Sequence, residues 1–211
     1  MIEMTNLLCL DSNGVLTGKE TLAEKLTGRK YPRAADEFRR YSSGGLPLPK
    51  GDGVYALARR VAATHKGISR IEMESEAKDF SPTDGARALV RKAKKLGYEV
   101  AVISADYAVA AGAVAGALGV PRFYGNIPRF NGDAHSGELV DPIIIGERKA
   151  EIARQLKEEL QPKKVVAVAD SLIDSPMLRE ADIGIFCGEF SELKRYELRS
   201  SSEVPLLQIV K

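Results

Sequence analysis

Three apolar runs, NLLCLD (6–11), YEVAVIS (98–104) and KVVAVAD (164–170), each end on a polar residue, and helical patterns lie between them. Continuous apolarity over so few residues marks strands buried on both faces, as in a parallel sheet. Parallel strands need crossovers, and the intervening sequence supplies them. DGARALVRKAKKLG and DYAVAAGAVAGALG close on glycine, and GERKAEIARQLKEEL stops before Pro162. This alternation predicts an α/β fold with a doubly wound parallel, Rossmann-like sheet as its core. DIGIFCG and PRFYGN supply two further strands. Open sheets of this kind bind ligands outside the carboxyl ends of their strands, so Asp11, Ser104 and Asp170 are expected to converge there.

Residues 18–81 break the rhythm. KETLAEKLTG, RAADEFRRYSS, DGVYALARRVAATHKG and ISRIEMESEAKDF all read as helices, and no strand pattern separates them. SSGGLPLPKGDG is the loosest stretch. The expected organisation is a core built from 1–17 and 82–211, with 18–81 inserted after the first strand as a helical cap domain. Asn131-Gly132 sits between two extended stretches and predicts a hairpin projecting from the core.

Lysine and arginine number 31 against 29 acidic residues, a net charge of +2, which gives no footprint for nucleic acid or an anionic membrane. No leader pattern and no run of 18 apolar residues occurs, so a soluble, cytoplasmic protein is expected. Cys9 and Cys187 lie in strand patterns and are expected to be buried free thiols. His65 and His135 have no partner pattern and are expected on the surface.

Four stretches carry chemistry: DSNGVLTGKET, FSPTDGARALVRKAKKLGYEVAVISAD, GERKAEI and VVAVADSLIDSPMLREADIGIFC. In their order and spacing, and with a helical insert after the first, the chain resembles the haloacid dehalogenase superfamily over nearly its whole length. Within it the chain resembles the phosphoserine phosphatase branch in particular. The resemblance implies a Mg²⁺-dependent phosphatase acting on a small phosphorylated metabolite, with Asp11 as the nucleophile of an aspartyl-phosphate intermediate. It implies a metal site of Asp11, the backbone carbonyl of Asn13, Asp170 and Asp174, one of the last two binding through water or holding the other in place. Ser104 and the adjacent N–H of Ala105 would hold the phosphoryl oxygens. Lys149 would neutralise Asp11 and the phosphate, and Glu20 would meet a substrate amine. Plainer roles stand beside these: Ser104 as a helix N-cap, Asp174 or Ser175 capping SPMLREA, and Glu20 favouring a helix dipole.

The chain departs from the pattern at several points. Asn13 stands where a second aspartate moves protons, and an amide neither delivers nor takes one. Such assistance is worth on the order of 10²–10⁴-fold in rate. Ala105 and Asp106 replace two glycines, adding bulk and negative charge beside the phosphate. Ile173 replaces an asparagine. Ala58 stands where an arginine would meet a substrate carboxylate, with Arg59 and Arg60 beside it; residues 57, 60 and 61 are expected to face the insert's own packing and 58 the cleft. These departures also fit a catalytically idle member that keeps the fold and binds a phosphorylated ligand or a protein partner.

Overall fold

The computed structural model describes residues 6–42 and 53–187. In chain order the elements are β1 (Asn6–Leu10), α1 (Leu22–Lys30), α2 (Pro32–Ser42), α3 (Gly53–Thr64), α4 (Arg70–Ala77) and α5 (Asp84–Lys95). There follow β2 (Tyr98–Tyr107), α6 (Ala108–Ala117), β3 (Arg122–Asn126), β4 (Pro128–Asn131), β5 (Ala134–Leu139) and α7 (Glu147–Leu160). The last are β6 (Val165–Ala169), a 3₁₀ turn (Leu172–Asp174), α8 (Ser175–Glu180) and β7 (Ile183–Phe186).

β3-β2-β1-β6-β7 form one parallel sheet. The alternation along each strand divides the core. Leu7, Cys9, Ala101, Ile103, Ala167 and Ala169 pack against Ile152, Leu156 and Met177 on one face. Leu8, Leu10, Val100, Val102 and Val168 pack against Val90, Ala93 and Val114 on the other. Each wholly buried Leu or Val contributes roughly 1.5–3 kcal/mol, so a slip of one residue would cost both faces at once. The predicted strands are all present. Cys9 is buried and Cys187, just past β7, is half-buried; neither forms a disulfide among the described residues.

α1 to α4 follow β1 without an intervening strand among the described residues. Most of the loose stretch 42–53 lies outside those residues, as does the end of the chain from 188. Leu22, Leu26, Met73 and Ala77 form one apolar cluster with Tyr107 and Ala110 at the end of β2 and the start of α6. The β4–β5 hairpin does not stand free as expected. Its backbone bonds the α3–α4 connection through Gly67 N–H to His135 O, His135 N–H to Ile68 O and Arg70 N–H to Asp133 O.

The two histidines are corrected by the structure: His65 and His135 are wholly buried. Gly137 N–H donates to His135 Nδ1 (2.8 Å), which leaves the His135 proton on Nε2, facing the Tyr107 hydroxyl (3.2 Å). Tyr107 then donates to His65 Nδ1 (2.5 Å), and His65 Nε2–H faces Thr27 Oγ1 (2.7 Å) and Ala23 O (3.0 Å). The chain of donors runs from β5 through β2 to α1, and it is complete only when both rings are neutral.

Burial, reinforced by the neighbouring His135, lowers the His65 pKa from 6.5 to about 4. The unfolded chain therefore binds more protons than the folded one between those values. The contribution of neutral His65 is complete above pH 6.5 and is lost as pH falls toward 4. His65→Gln should be less stable than the wild type at pH 7.5, and that deficit should shrink by roughly 2 kcal/mol at pH 5. Thermal unfolding of both proteins at the two pH values measures it; a constant deficit would show that His65 carries no such penalty.

Candidate active site

Asp11 and Asp170 follow directly on β1 and β6, which are neighbours in the sheet, with Leu10 opposite Val168. Strand spacing alone thus brings the two carboxylates to the same edge. The loop after Asp11 turns under Asp170. Gly14 has φ +78°, and a Cβ there would lie 1.8 Å from Asp170 Oδ2, so only glycine leaves room for that carboxylate.

Lys149, in the first turn of α7, is wholly buried and reaches Asp11 Oδ1 at 2.8 Å. It also lies 2.8 Å from Asp174 Oδ1, in an ion pair whose angles leave that oxygen without a hydrogen bond. Asp174 makes no side-chain cap to α8, so the plain capping role is not the one observed. Burial would lower the Lys149 pKa, but the two carboxylates outweigh it and raise it. Burial, with the charge of Asp11, raises Asp170 to about 7. Burial and Asp11 also raise Asp174 against the pull of Lys149.

A cavity of about 490 Å³ opens above this edge, lined by Asp11, Asn13, Lys149, Asp170 and Asp174 below and by Lys19, Glu20, Glu24 and Arg39 from the insert. Ala105 lines it too, its carbonyl held by Asn126 Nδ2 at 2.7 Å. The Asn13 amide donates to Glu20 O (2.8 Å), tying the loop after β1 to the entry of α1. A carboxylate at position 13 has no proton for that bond. Glu20 lines the cavity just ahead of the Thr21 N-cap, and the acidic residue in the first turn of α1 is Glu24.

Ser104 is not among the lining residues. β2 continues to Tyr107 and α6 begins only at Ala108, so Ser104 does not begin the helix as expected. It is wholly buried, and its Oγ accepts from Asp106 N–H at 3.1 Å. Ala58 also lies outside the lining set: it packs against Ile143, Ile145 and Ile173, so an arginine there would enter an apolar cluster. Ile173, in place of the expected asparagine, belongs to the same cluster. Arg59 pairs with Asp141 at 3.1 Å. Leu57 and Val61 are buried as expected, but Arg60 is exposed.

Sequence reasoning does not single out Arg39 or Glu24. Arg39 Nε lies 3.4 Å from Glu24 Oε1, and Glu24 Oε2 accepts from Thr21 N–H at 3.4 Å in a capping box. The T-L-A-E spacing signals the box, but nothing local places Arg39 of α2 over the cavity.

The sequence model of the haloacid dehalogenase-like hydrolases matches residues 10–179. A phosphoserine phosphatase of Archaeoglobus fulgidus is 33% identical over 132 residues, 62% of this chain and 38% of that protein. A probable phosphoserine phosphatase of Schizosaccharomyces pombe is 30% identical over 155 residues, 72% of this chain and 51% of the relative. The chain thus matches about half or less of the length of these two relatives. A phosphoserine phosphatase of Methanocaldococcus jannaschii is 23% identical across 90% of this chain and 89% of its own. A solved substrate-bound phosphoserine phosphatase shares the fold with a TM-score of 0.79 at 19% identity, covering 100% of this chain and 95% of its own.

Proposed function

Because the chain belongs to the haloacid dehalogenase-like hydrolase family, we propose that it is a Mg²⁺-dependent phosphomonoester hydrolase that works through an aspartyl-phosphate on Asp11. The observation that carries this reading is the buried Asp11–Lys149–Asp174 array beside Asp170 at the floor of a cavity. A binding module has no need of a buried carboxylate held beside a lysine at the mouth of a sheet. Residues 18–81, which hold α1 to α4 among the described residues, serve as the cap domain, and 1–17 and 82–211 as the core.

The residues fit a hard divalent cation. Three carboxylates face one lysine, and Asp174 Oδ1 is buried without a hydrogen bond. Among the described residues no three carboxylate, imidazole or thiol side chains gather closely enough to hold an ion alone. Mg²⁺ does not require a cage made of protein alone: it keeps several waters and takes one or two carboxylates plus substrate phosphate. Asp11, Asp170, Asp174 and the Asn13 carbonyl would hold it. When bound, it draws charge from the phosphoryl oxygens.

Asp11 Oδ attacks phosphorus, the phosphorus–oxygen ester bond breaks, and water then cleaves the acyl phosphate to return free Asp11 and phosphate. Lys149 holds Asp11 in place and offers positive charge to the transferring group. Ala105, which follows Ser104 and lines the cavity, would offer its N–H to the phosphoryl oxygens. Glu20 stands at the rim for a substrate ammonium. Neither proton transfer has a carboxyl group at residue 13, so alkoxide departure and attack by water are both slow.

Leaving groups that need no proton should therefore fare best. Mg²⁺-dependent phosphate release should be faster from an aryl phosphate than from an alkyl phosphate. Asn13→Asp should raise kcat/KM for an alkyl phosphate, which reports the phosphoryl-transfer half alone, by about tenfold or more while changing that for an aryl phosphate less; kcat, which includes the attack of water common to both, should rise for both. Steady-state assays with and without chelator measure both constants. Equal changes in kcat/KM on both substrates would place residue 13 away from proton transfer to the leaving group, and no release from any phosphate would refute the hydrolase reading.

No helix among the described residues is long and apolar enough to cross a membrane. A small phosphorylated metabolite in the cytoplasm is the proposed substrate, with no nucleic acid or membrane partner.

A further inference from the structure

We propose that Asp106 is a specificity-determining residue: its carboxylate fills the anion-accepting end of α1, so the site selects phosphate monoesters that carry no carboxylate beside the ester. This rests on the hydrolase reading and narrows its substrate class.

Asp106 is buried and lines the cavity. Its Oδ2 accepts from Leu22 N–H (2.5 Å) and its Oδ1 from Ala23 N–H (3.0 Å) and Tyr107 N–H (2.8 Å). Leu22 and Ala23 open α1, whose first N–H groups have no partner within the helix. Helix ends of that kind bind anions, and here the bound anion is the chain's own side chain, delivered from 84 residues away.

With glycine at 106, those two N–H groups would face the cavity and could receive a substrate carboxylate. With aspartate they are taken, and a fixed negative charge stands in the same place. Burial raises the Asp106 pKa to about 6, its three backbone donors oppose the rise, and the charge of Asp11 adds to it. It is therefore ionised at pH 7.5.

Among the described residues, Ala58, Arg59 and Arg39 do not supply the missing receptor. Ala58 packs into the Ile143, Ile145 and Ile173 cluster, Arg59 is matched by Asp141, and Arg39 by Glu24. Among the described residues the cavity carries six carboxylates, those of Asp11, Glu20, Glu24, Asp106, Asp170 and Asp174, against Lys19, Arg39 and Lys149. A second negative group on the substrate therefore meets a net negative lining.

The test is calorimetric binding of phosphoethanolamine and phosphoserine, with Mg²⁺ at pH 7.5, to the Asp11→Asn chain with and without Asp106→Asn. Turnover is not required, so the outcome does not depend on catalysis. With Asp106 in place, phosphoethanolamine should bind about tenfold tighter or more, the scale of removing or reversing one charge-assisted hydrogen bond. Asp106→Asn should reduce that ratio to about threefold or less, mainly by tightening phosphoserine, and Asp106→Gly should move it further the same way. A loosened α1 would weaken both ligands and leave the ratio unchanged, and that result overturns the proposal. So does equal affinity in the protein that retains Asp106, a measurement that needs no variant at 106 to fold, or failure of either ligand to bind at all. Failure of the hydrolase reading is seen separately, as an absence of Mg²⁺-dependent aryl-phosphate turnover by the unaltered chain.

Discussion

Replacing Asp11 with asparagine is expected to abolish Mg²⁺-dependent phosphate release, by a factor on the order of 10⁴ or more, the scale found when a covalent nucleophile is removed. The amide is nearly the same shape, so binding geometry is conserved while the attacking lone pair is lost. The structure adds a second expectation that sets this variant apart from a damaged fold. Asp11 contributes to raising both Asp170 and Asp174, which means that its charge is repelled by theirs. Lys149 keeps Asp174 as a partner when Asp11 becomes neutral. The melting temperature without metal should therefore be no lower than that of the wild type. Phosphate-release assays and thermal unfolding of the same preparations measure the pair; loss of activity accompanied by a large loss of stability would point to misfolding instead.

Lys149→Met should do the opposite to stability. The Lys149 ammonium stands between two carboxylates in a fully buried position, and removing it leaves Asp11 and Asp174 facing each other without a counter-ion. Breaking a buried pair from one side costs roughly 3–5 kcal/mol, which in a domain of this size is a fall of roughly 10 °C in melting temperature. Activity should fall on the order of 10²–10³-fold, because the charge offered to the transferring group disappears. Added Mg²⁺ should restore part of the lost stability by supplying positive charge to the same carboxylates. A Lys149→Met protein as stable as the wild type in chelator would contradict the buried array.

The sheet is legible in the sequence because its physics is local. Leu7 and Cys9 point one way and Leu8 and Leu10 the other, and such runs have few alternatives to a doubly covered parallel strand. Asp11 and Asp170 are legible for the same reason, since strand ends in adjacent strands cannot avoid the same edge. Lys149 rests on the family resemblance, and the structure brings it to Asp11 across 138 residues.

What is not legible depends on interactions between distant segments. His65 and His135 look isolated in sequence, yet Tyr107 joins them only after the hairpin and the insert meet at the end of β2. Asp106 reads as an intrusive charge beside a phosphate, and only its capping of α1 from outside that helix shows how the charge is held. Ser104 looks like a helix start because the apolar run of its strand ends there. A register irregularity between Ile103 and Tyr107 carries β2 three residues further, and Ser104 Oγ there accepts from Asp106 N–H. Asn13 in sequence is a simple loss of a proton carrier. Its bond to Glu20 O shows a positive reason for an amide, which an aspartate could supply only when protonated.

The central claim is the covalent step on Asp11, and Asn13 makes it accessible to direct observation. An amide at 13 cannot activate the water that breaks the acyl phosphate, so the phosphorylated chain should build up when an aryl phosphate supplies the phosphoryl group. Rapid acid quench after mixing with Mg²⁺ and an aryl phosphate, followed by mass spectrometry of the peptide containing residues 6–17, should find one phosphoryl group on Asp11 in a large fraction of the chains. The adduct should be absent in Asp11→Asn and less abundant in Asn13→Asp. Turnover of the aryl phosphate with no adduct on Asp11, or with the adduct on another residue, would contradict the account.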